Sequence, residues 1–449
     1  MFRELPPFTF QQVAFDKYGE MLTSRRNPAH HNLWNDYRPW REVKRIARDI
    51  KLDPPLAWQY VKLDRMSRLE MLPLTYSSKQ MMQFCRAPQI DAFVHHIDRA
   101  AGGGGPAAIE SESGVLHDES VRKRLRIKTL MDEAAESSLH EGAATTRRDA
   151  VEMLRTRTAP KTQGELMVRN NYEAMQWIKT QLGKPFSLQM LLELQAMLTL
   201  GTNPESERGR LRDHAETVRV ATDHDDETIH TPPPADQLPT RIEWLCEYAN
   251  ATDDGRNFVH PLVKACILHF MIGFDHPFPD GNGRTARAVF YWYALKHGYD
   301  IFEYLTISEI IRRGPSKYVQ AFVDCESDEG DLTYFILYKL DVIHRALKEF
   351  EKHVQHEEHR LERAKSLVRL SKSFNIRQRL LLEHALRHPD TRYTVKSHAT
   401  SNDISLPSAR KDLDGLAAKR FFVKSSRDKE AVYEAAPGLG EKLEKYIKD

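Results

Sequence analysis

Within the run His276-Pro277-Phe278-Pro279-Asp280-Gly281-Asn282-Gly283-Arg284-Thr285-Ala286-Arg287, a base, a hard oxygen ligand, a glycine-rich turn and two guanidiniums stand close together. Such a set suits the handling of phosphate. His276 is the only group in it that accepts a proton near neutral pH without extreme tuning, which makes it a general base for a hydroxyl nucleophile. Asp280 offers the kind of oxygen that Mg²⁺ uses when it keeps most of its waters and bridges substrate phosphates. Gly281 and Gly283 permit the backbone angles that aim consecutive amides at one oxyanion, and Asn282 between them adds a side-chain donor. Arg284 and Arg287 present planar forks from neighbouring helical positions. Gly-Asn-Gly alone is only a turn signal; the complete set is what points to chemistry. A Walker A loop is excluded because no Gly-Lys-Ser/Thr follows, and a dinucleotide fingerprint because neither the glycine spacing nor a preceding strand fits.

The elements around this run explain how it would be held. Residues 262–274 and 288–295 are apolar and helical in pattern, so the turn opens onto a helix N-terminus whose N–H groups point outward and attract anions. Upstream, Gly209, Arg210, Leu211 and Arg212 lead into residues 216–221, where Val218 and Val220 alternate with polar neighbours. A polar turn and a second short stretch, 228–231 with Ile229, complete a β-hairpin. Pro232, Pro233 and Pro234 end it, and helical periodicity resumes over 241–248.

The run 276–287 resembles the Fic family signature, HxFx(D/E)GNGRxxR, and matches it at every defined position. The resemblance implies a mainly α fold, a Fic-type helical core with a small β-hairpin flap, that transfers AMP from ATP to a Ser, Thr or Tyr hydroxyl of a target protein and releases pyrophosphate. By that resemblance His276 deprotonates the hydroxyl, Asp280 holds Mg²⁺, and Gly281, Asn282 and Gly283 cradle the α- and β-phosphates. Arg284 and Arg287 then neutralise the triphosphate tail, and the flap, through Val218, Val220 and Ile229, holds the target segment by strand addition. Residues 136–142 resemble the family's inhibitory motif, (S/T)xxxE(G/N), with Ser137, Glu141 and Gly142 in register. This implies a helix whose Glu141 pairs with Arg287 and competes with the γ-phosphate for the same donors. Where such motifs carry an aliphatic residue before the Glu, this chain has His140.

Composition sets the remaining bounds. A chain of 449 residues, 41% hydrophobic and with a formal charge of +2, reads as about two to three globular domains with no advertised nucleic-acid partner. Residues 1–100 read as an N-terminal helical domain, with helical spacing over 56–69 and 92–97. A linker follows over 101–128, marked by Gly102 to Gly105 and Pro106; then come the catalytic portion, 129–350, and a charged connecting helix, 351–375. In 376–449, three helix patterns precede two strand patterns, an order that resembles a winged helix; Arg410 and Lys411 on its third helix would face a DNA groove or a protein partner. Cys85, Cys246, Cys266 and Cys325 lack paired spacing, which favours reduced thiols and a cytoplasmic home. No apolar span of membrane length occurs, so no leader, anchor or membrane partner is expected.

Two functional classes follow. The first is a protein adenylyltransferase restrained by Glu141, with ATP as co-substrate, Mg²⁺ as cofactor and self-modification within its reach. The second is a DNA-associated regulator whose Fic-like core senses nucleotide, uses another diphosphate donor or removes AMP. The intact His276 and Asp280 favour chemistry over sensing. The identity of the target, a homodimer, and the choice between DNA and protein for the C-terminal portion stay open.

Overall fold

The structure, a computed structural model, describes residues 18–102, 119–214, 216, 220–221, 228–252, 255, 258–370, 373–389, 391–427 and 430–448. The chain is mainly helical. After α1 (Tyr18–Arg26) and the short α2 (His31–Trp34), α3 (Trp40–Asp49) and α4 (Pro54–Met66) pack through Val43, Ala47, Ala57 and Trp58. Asp53 caps α4 by accepting the Leu56 N–H at 3.1 Å, and Pro54 occupies the first turn, where no amide partner is required. The helix expected over 56–69 stops at Met66. In its place β1 (Leu69–Ser77) and β2 (Gln80–Cys85) form an antiparallel hairpin. Alternation decides this: Leu72, Leu74, Met82 and Phe84 are buried, while Met71 and Met81 face outward.

Helices α5 (Pro88–Gly102), α6 (Glu119–His140), α7 (Arg147–Thr156), α8 (Gln163–Thr180) and α9 (Leu188–Leu198) come next. Thr146, Thr162 and Ser187 cap the last three through their hydroxyls. The expected hairpin is present as β3 (Val220–Ala221) and β4 (Thr228–His230), paired antiparallel, before α10 (Leu238–Asn250). Two helices buried nearly all round, α11 (Pro261–Asp275) and α12 (Asn282–Lys296), form the central pair. They are the two apolar stretches that bracket the signature. Beyond them lie α13 (Ile307–Arg312), α14 (Pro315–Ser327) and α15 (Thr333–Leu370), which also absorbs most of the stretch expected as a separate connecting helix.

The described residues fall into two compact units, one drawn from 1–102 and 128–347, the other from 103–127 and 348–449. The N-terminal segment, expected as a preface to the catalytic portion, is thus part of the same unit. Buried polar contacts tie it there: Lys62 pairs with Asp328 at 2.7 Å, Arg65 donates to the Tyr334 hydroxyl at 2.9 Å, and the Cys85 N–H donates to Thr333 Oγ1 at 2.7 Å. Breaking one partner of such a buried pair would strand a charge, at about 3–5 kcal/mol.

The second unit contains α16 (Ile376–Arg387), β5 (Arg392–Thr394), α17 (Val395–Asn402), α18 (Leu406–Ala418), β6 (Phe422–Arg427), β7 (Glu430–Ala435) and α19 (Leu439–Lys448). Its sheet runs in the order β5-β7-β6, so a third strand joins the two read from the sequence. Leu382, Leu413, Leu416, Tyr433 and Leu443 fill its core. Among the described residues no helix is long and apolar enough to cross a membrane, and all four cysteines are free.

Candidate active site

The signature turn begins with a strained residue. His276 ends α11 in the left-handed region, φ 45° and ψ 57°, while its N–H still reaches the Ile272 carbonyl at 3.1 Å. That conformation costs a side-chain-bearing residue about 1–3 kcal/mol and persists only where neighbours over-determine it. Arg212 does so. Its Nε donates to the His276 carbonyl at 2.8 Å, its Nη2 to the Asp275 carbonyl at 3.3 Å, and its own N–H to Pro277 at 2.9 Å. Asn282 closes the turn from the other end by accepting the Phe278 N–H at 2.9 Å and donating to the Phe278 carbonyl at 2.8 Å. Its amide therefore stitches the loop, whereas the sequence suggested a donor for phosphate. Gln195 on α9 completes the frame, donating to the Asp280 carbonyl at 3.0 Å and accepting the Gly209 N–H at 2.6 Å.

Gly281, at φ 84°, is required twice over: the angle suits glycine, and a Cβ there would stand 3.1 Å from the Thr199 methyl. It precedes α12 without a side-chain cap, so the first amides of that helix are open to an anion. The His276 Nδ1 faces the Gly273 carbonyl at 3.3 Å and so carries the ring proton, leaving Nε2 as the basic atom. Burial pushes the His276 pKa down to about 4; the Gly273 carbonyl opposes this, while His230 and Arg212 add to it. The imidazole is neutral at pH 7, as a base must be.

Asp280 is exposed, with one oxygen 3.2 Å from Arg284 Nη2. Among the described residues no three His, Cys, Asp or Glu side chains converge as a metal site. A Mg²⁺ at this terminus would rest on Asp280 and on phosphate and water oxygens, which is the coordination Mg²⁺ favours. Arg284 is buried and donates from Nη1 to the Leu198 carbonyl at 2.8 Å. Arg287, also buried, is held by α6. Its Nε donates to Ser137 Oγ at 2.7 Å, and its Nη2 to the Ser137 carbonyl at 3.0 Å and to Glu141 Oε1 at 2.9 Å. Its Nη1 has no hydrogen-bond partner among the described residues.

Gly142, at φ 82°, stops α6 in the left-handed conformation that ends many helices, and the Ala143 N–H turns back to the Ser138 carbonyl at 3.0 Å. The stop carries Glu141 over the open end of α12, where a Cβ on Gly283 would lie 2.9 Å from the carboxyl carbon. Burial raises the Glu141 pKa, but Arg287, His140 and Arg284 together outweigh it and the net shift is downward, so the carboxylate is charged. The rest of α6 is anchored to α13: Glu133 accepts the Ser308 N–H at 3.0 Å and Glu136 pairs with Arg312. His140, in the position where an aliphatic residue is usual, packs edge-on against Tyr318 with ring centroids 5.6 Å apart.

His276, Asp280, Gly281, Gly283, Arg284, Arg287, Ser137, Glu141 and Gly142 thus converge on one end of α12. Of the flap residues, Val218 and the Val220 side chain lie outside the described residues; the Val220 backbone pairs with His230, and Ile229 is half-buried. The framing roles of Gln195, Arg212 and His230 went unread. Arg212 and His230 bracket the hairpin in sequence, which was their only signal, and Gln195 had none.

Residues 185–294 match the Fic/DOC family. The protein adenylyltransferase fic-1 of Caenorhabditis elegans is 30% identical over 113 residues, 25% of this chain and 20% of that protein. The protein adenylyltransferase Fic of Nematostella vectensis is 29% identical over 87 residues, 17% of this chain and 20% of that protein. The match therefore spans about a fifth of the length of these relatives. A crystal structure of a Fic family protein from Desulfovibrio desulfuricans G20 covers 82% of this chain and 98% of its own, with a TM-score of 0.52 at 19% identity, which shows a shared fold.

Proposed function

We propose that this chain, whose residues 185–294 are a Fic domain, transfers the AMP part of ATP to a hydroxyl of a target protein, and that the arrangement described above is its restrained form. The observation that carries this reading is the double hold of Ser137 and Glu141 on Arg287, beside a neutral imidazole whose Nε2 is left basic. The acceptor hydroxyl gives its proton to His276 Nε2 as its oxygen bonds to the α-phosphorus. The bond from that phosphorus to the bridging oxygen breaks, and its electron pair leaves with pyrophosphate. The open amides of α12 take phosphate oxygens, and positioning with charge stabilisation supplies the rate. Mg²⁺ on Asp280 would neutralise phosphate charge. Glu141 opposes this because it holds donors that the triphosphate needs. The β3–β4 hairpin offers a strand edge to the target segment, and the same transfer to a hydroxyl of this chain would be self-modification.

The test is incubation with ATP labelled on the α-phosphate, comparing the natural chain, Glu141→Gly, and His276→Ala in that background. Stronger self-labelling on release and none without the base are expected. Equal labelling of all three would defeat the reading.

One observation in the C-terminal unit favours a second role, contact with duplex DNA. Arg410 and Lys411 are exposed on α18, while Asp412 turns inward to Arg377 at 2.7 Å and Asp414 is paired with Lys424 at 2.7 Å. The acidic residues of this helix are thereby turned away or neutralised. Binding across a salt series checks it, since phosphate contacts weaken steeply with added salt; a flat response points to a protein partner.

A further inference from the structure

We propose that His230, held by Glu326, is a positioning residue that locks the flap to the backbone carrying the catalytic base. His230 closes β4, opposite Val220, and only 6% of it is exposed. Its Nε2 lies 2.6 Å from the Phe274 carbonyl, two residues before His276, and its ring rests on Phe274 with centroids 4.9 Å apart. Its Nδ1 is 2.9 Å from Glu326 Oε1 on α14, itself buried. A carbonyl only accepts, so Nε2 carries a proton and donates it to Phe274, while the Glu326 carboxylate stands beside the other ring nitrogen without a hydrogen bond between them.

The last carbonyls of a helix have no partner within it, and cations are favoured beside them. At the end of α11 three successive carbonyls are satisfied by two residues. His230 takes Phe274, and Arg212 takes Asp275 and His276. These two residues bracket the flap in sequence, so the strand that would receive the target and the backbone that aims the base share one set of bonds. Glu326 extends the frame, because its backbone carbonyl accepts the Tyr76 hydroxyl of β1 at 2.9 Å. The titratable and charged groups grouped with His230 are Glu326, Asp275 with its partner Arg241 at 2.7 Å, Arg212 and His276. His230 lowers the pKa of His276, so a neutral side chain in its place moves His276 protonation to higher pH.

The kinetic arm of the test rests on the transfer reading; the spectroscopic arm does not. In the Glu141→Gly protein, His230→Gln and Glu326→Gln are compared with the parent. Three things are measured: melting temperature, self-labelling from α-labelled ATP, and the ring titration of His276 by NMR of histidine-labelled protein, assigned through His276→Ala. His230→Gln is expected to slow self-labelling by about tenfold, as misplacement of reacting groups does, with the KM for ATP little changed. Glu326→Gln keeps the ring N–H for Phe274 and so loses less rate, and His230→Gln moves the His276 titration to higher pH. Parent-like rate and titration in both variants overturn the proposal. So do two variants that melt far below the parent while their folded fraction keeps the parent titration, since the pair would then be structural only. A parent that labels nothing defeats the transfer reading, and the His276 titration still decides this one.

Discussion

The signature turn and the Ser137–Glu141 clamp proposed to restrain it meet at Arg287, yet they are built on different scales. The turn is closed by bonds between near neighbours: Asn282 to Phe278 and Arg284 to Asp280 each span four residues. The clamp joins partners 146 and 150 residues apart, one carboxylate and one serine against one guanidinium. Arg212 and Gln195 brace those local bonds from outside the turn. Release of the clamp requires Ser137 and Glu141 to leave Arg287, and neither bonds the base. On the proposed reading, chemistry sits in the braced turn and restraint in the removable clamp.

The largest effect should come from striking the turn. In the Glu141→Gly background, His276→Ala is expected to lower labelling by about 10²–10⁴-fold, the usual worth of a positioned base. Asn282→Ala strips partners from the Phe278 N–H and carbonyl, at about 1–3 kcal/mol for each buried group left unpaired. It should lower both melting temperature and labelling, though it touches no reacting atom. If labelling survives that change, the turn is not the rigid partner in this comparison.

Striking the clamp should have the opposite sign. Glu141→Gly raises labelling, and ATP should then raise the melting temperature of this variant more than that of the natural chain, because binding free energy is no longer spent on displacing the carboxylate. Ser137→Ala removes one of the bonds on Arg287 and should give a smaller rise, since Glu141 and the backbone carbonyl at 137 still hold the guanidinium. Calorimetry with and without ATP checks both.

The smallest effect concerns His140. Burial and then Arg287 lower its pKa from the usual 6.5 to about 4. Between those values the unfolded chain binds a proton that the folded one does not, so stability rises with pH through the window and is lost as pH falls from about 6.5 to 4. His140→Leu should flatten that part of the stability–pH curve and leave labelling at pH 7.5 nearly unchanged. An unaltered curve would remove His140 from the account.

Much of this was legible because it was written at short range. The apolar periods of α11 and α12, the turn between them, the Ser137–Glu141–Gly142 spacing and the alternation ahead of His230 all lie within a few residues, where helix and strand periods act. The hairpin β1–β2 was missed because Leu69 extends the apolar spacing of α4, and only pairing with β2 makes it a strand. The side chain of Asn282 could not be placed for a related reason: a donor beside glycines suits phosphate, but Phe278 lies close enough to engage both ends of the side-chain amide.

Residue order alone determined which groups are available for chemistry, which stretches are helical, and that a Gly281-centred turn must open onto a helix end, since these depend on side-chain type and backbone period. Tertiary structure decided which of those groups are free. Arg287 is held by Ser137, the end of α11 is capped by Arg212 and His230, and Gln195 ties the signature to Gly209. Each of those bonds joins residues far apart in the chain. No local period encodes them, because hydrogen-bond geometry depends on where whole helices pack.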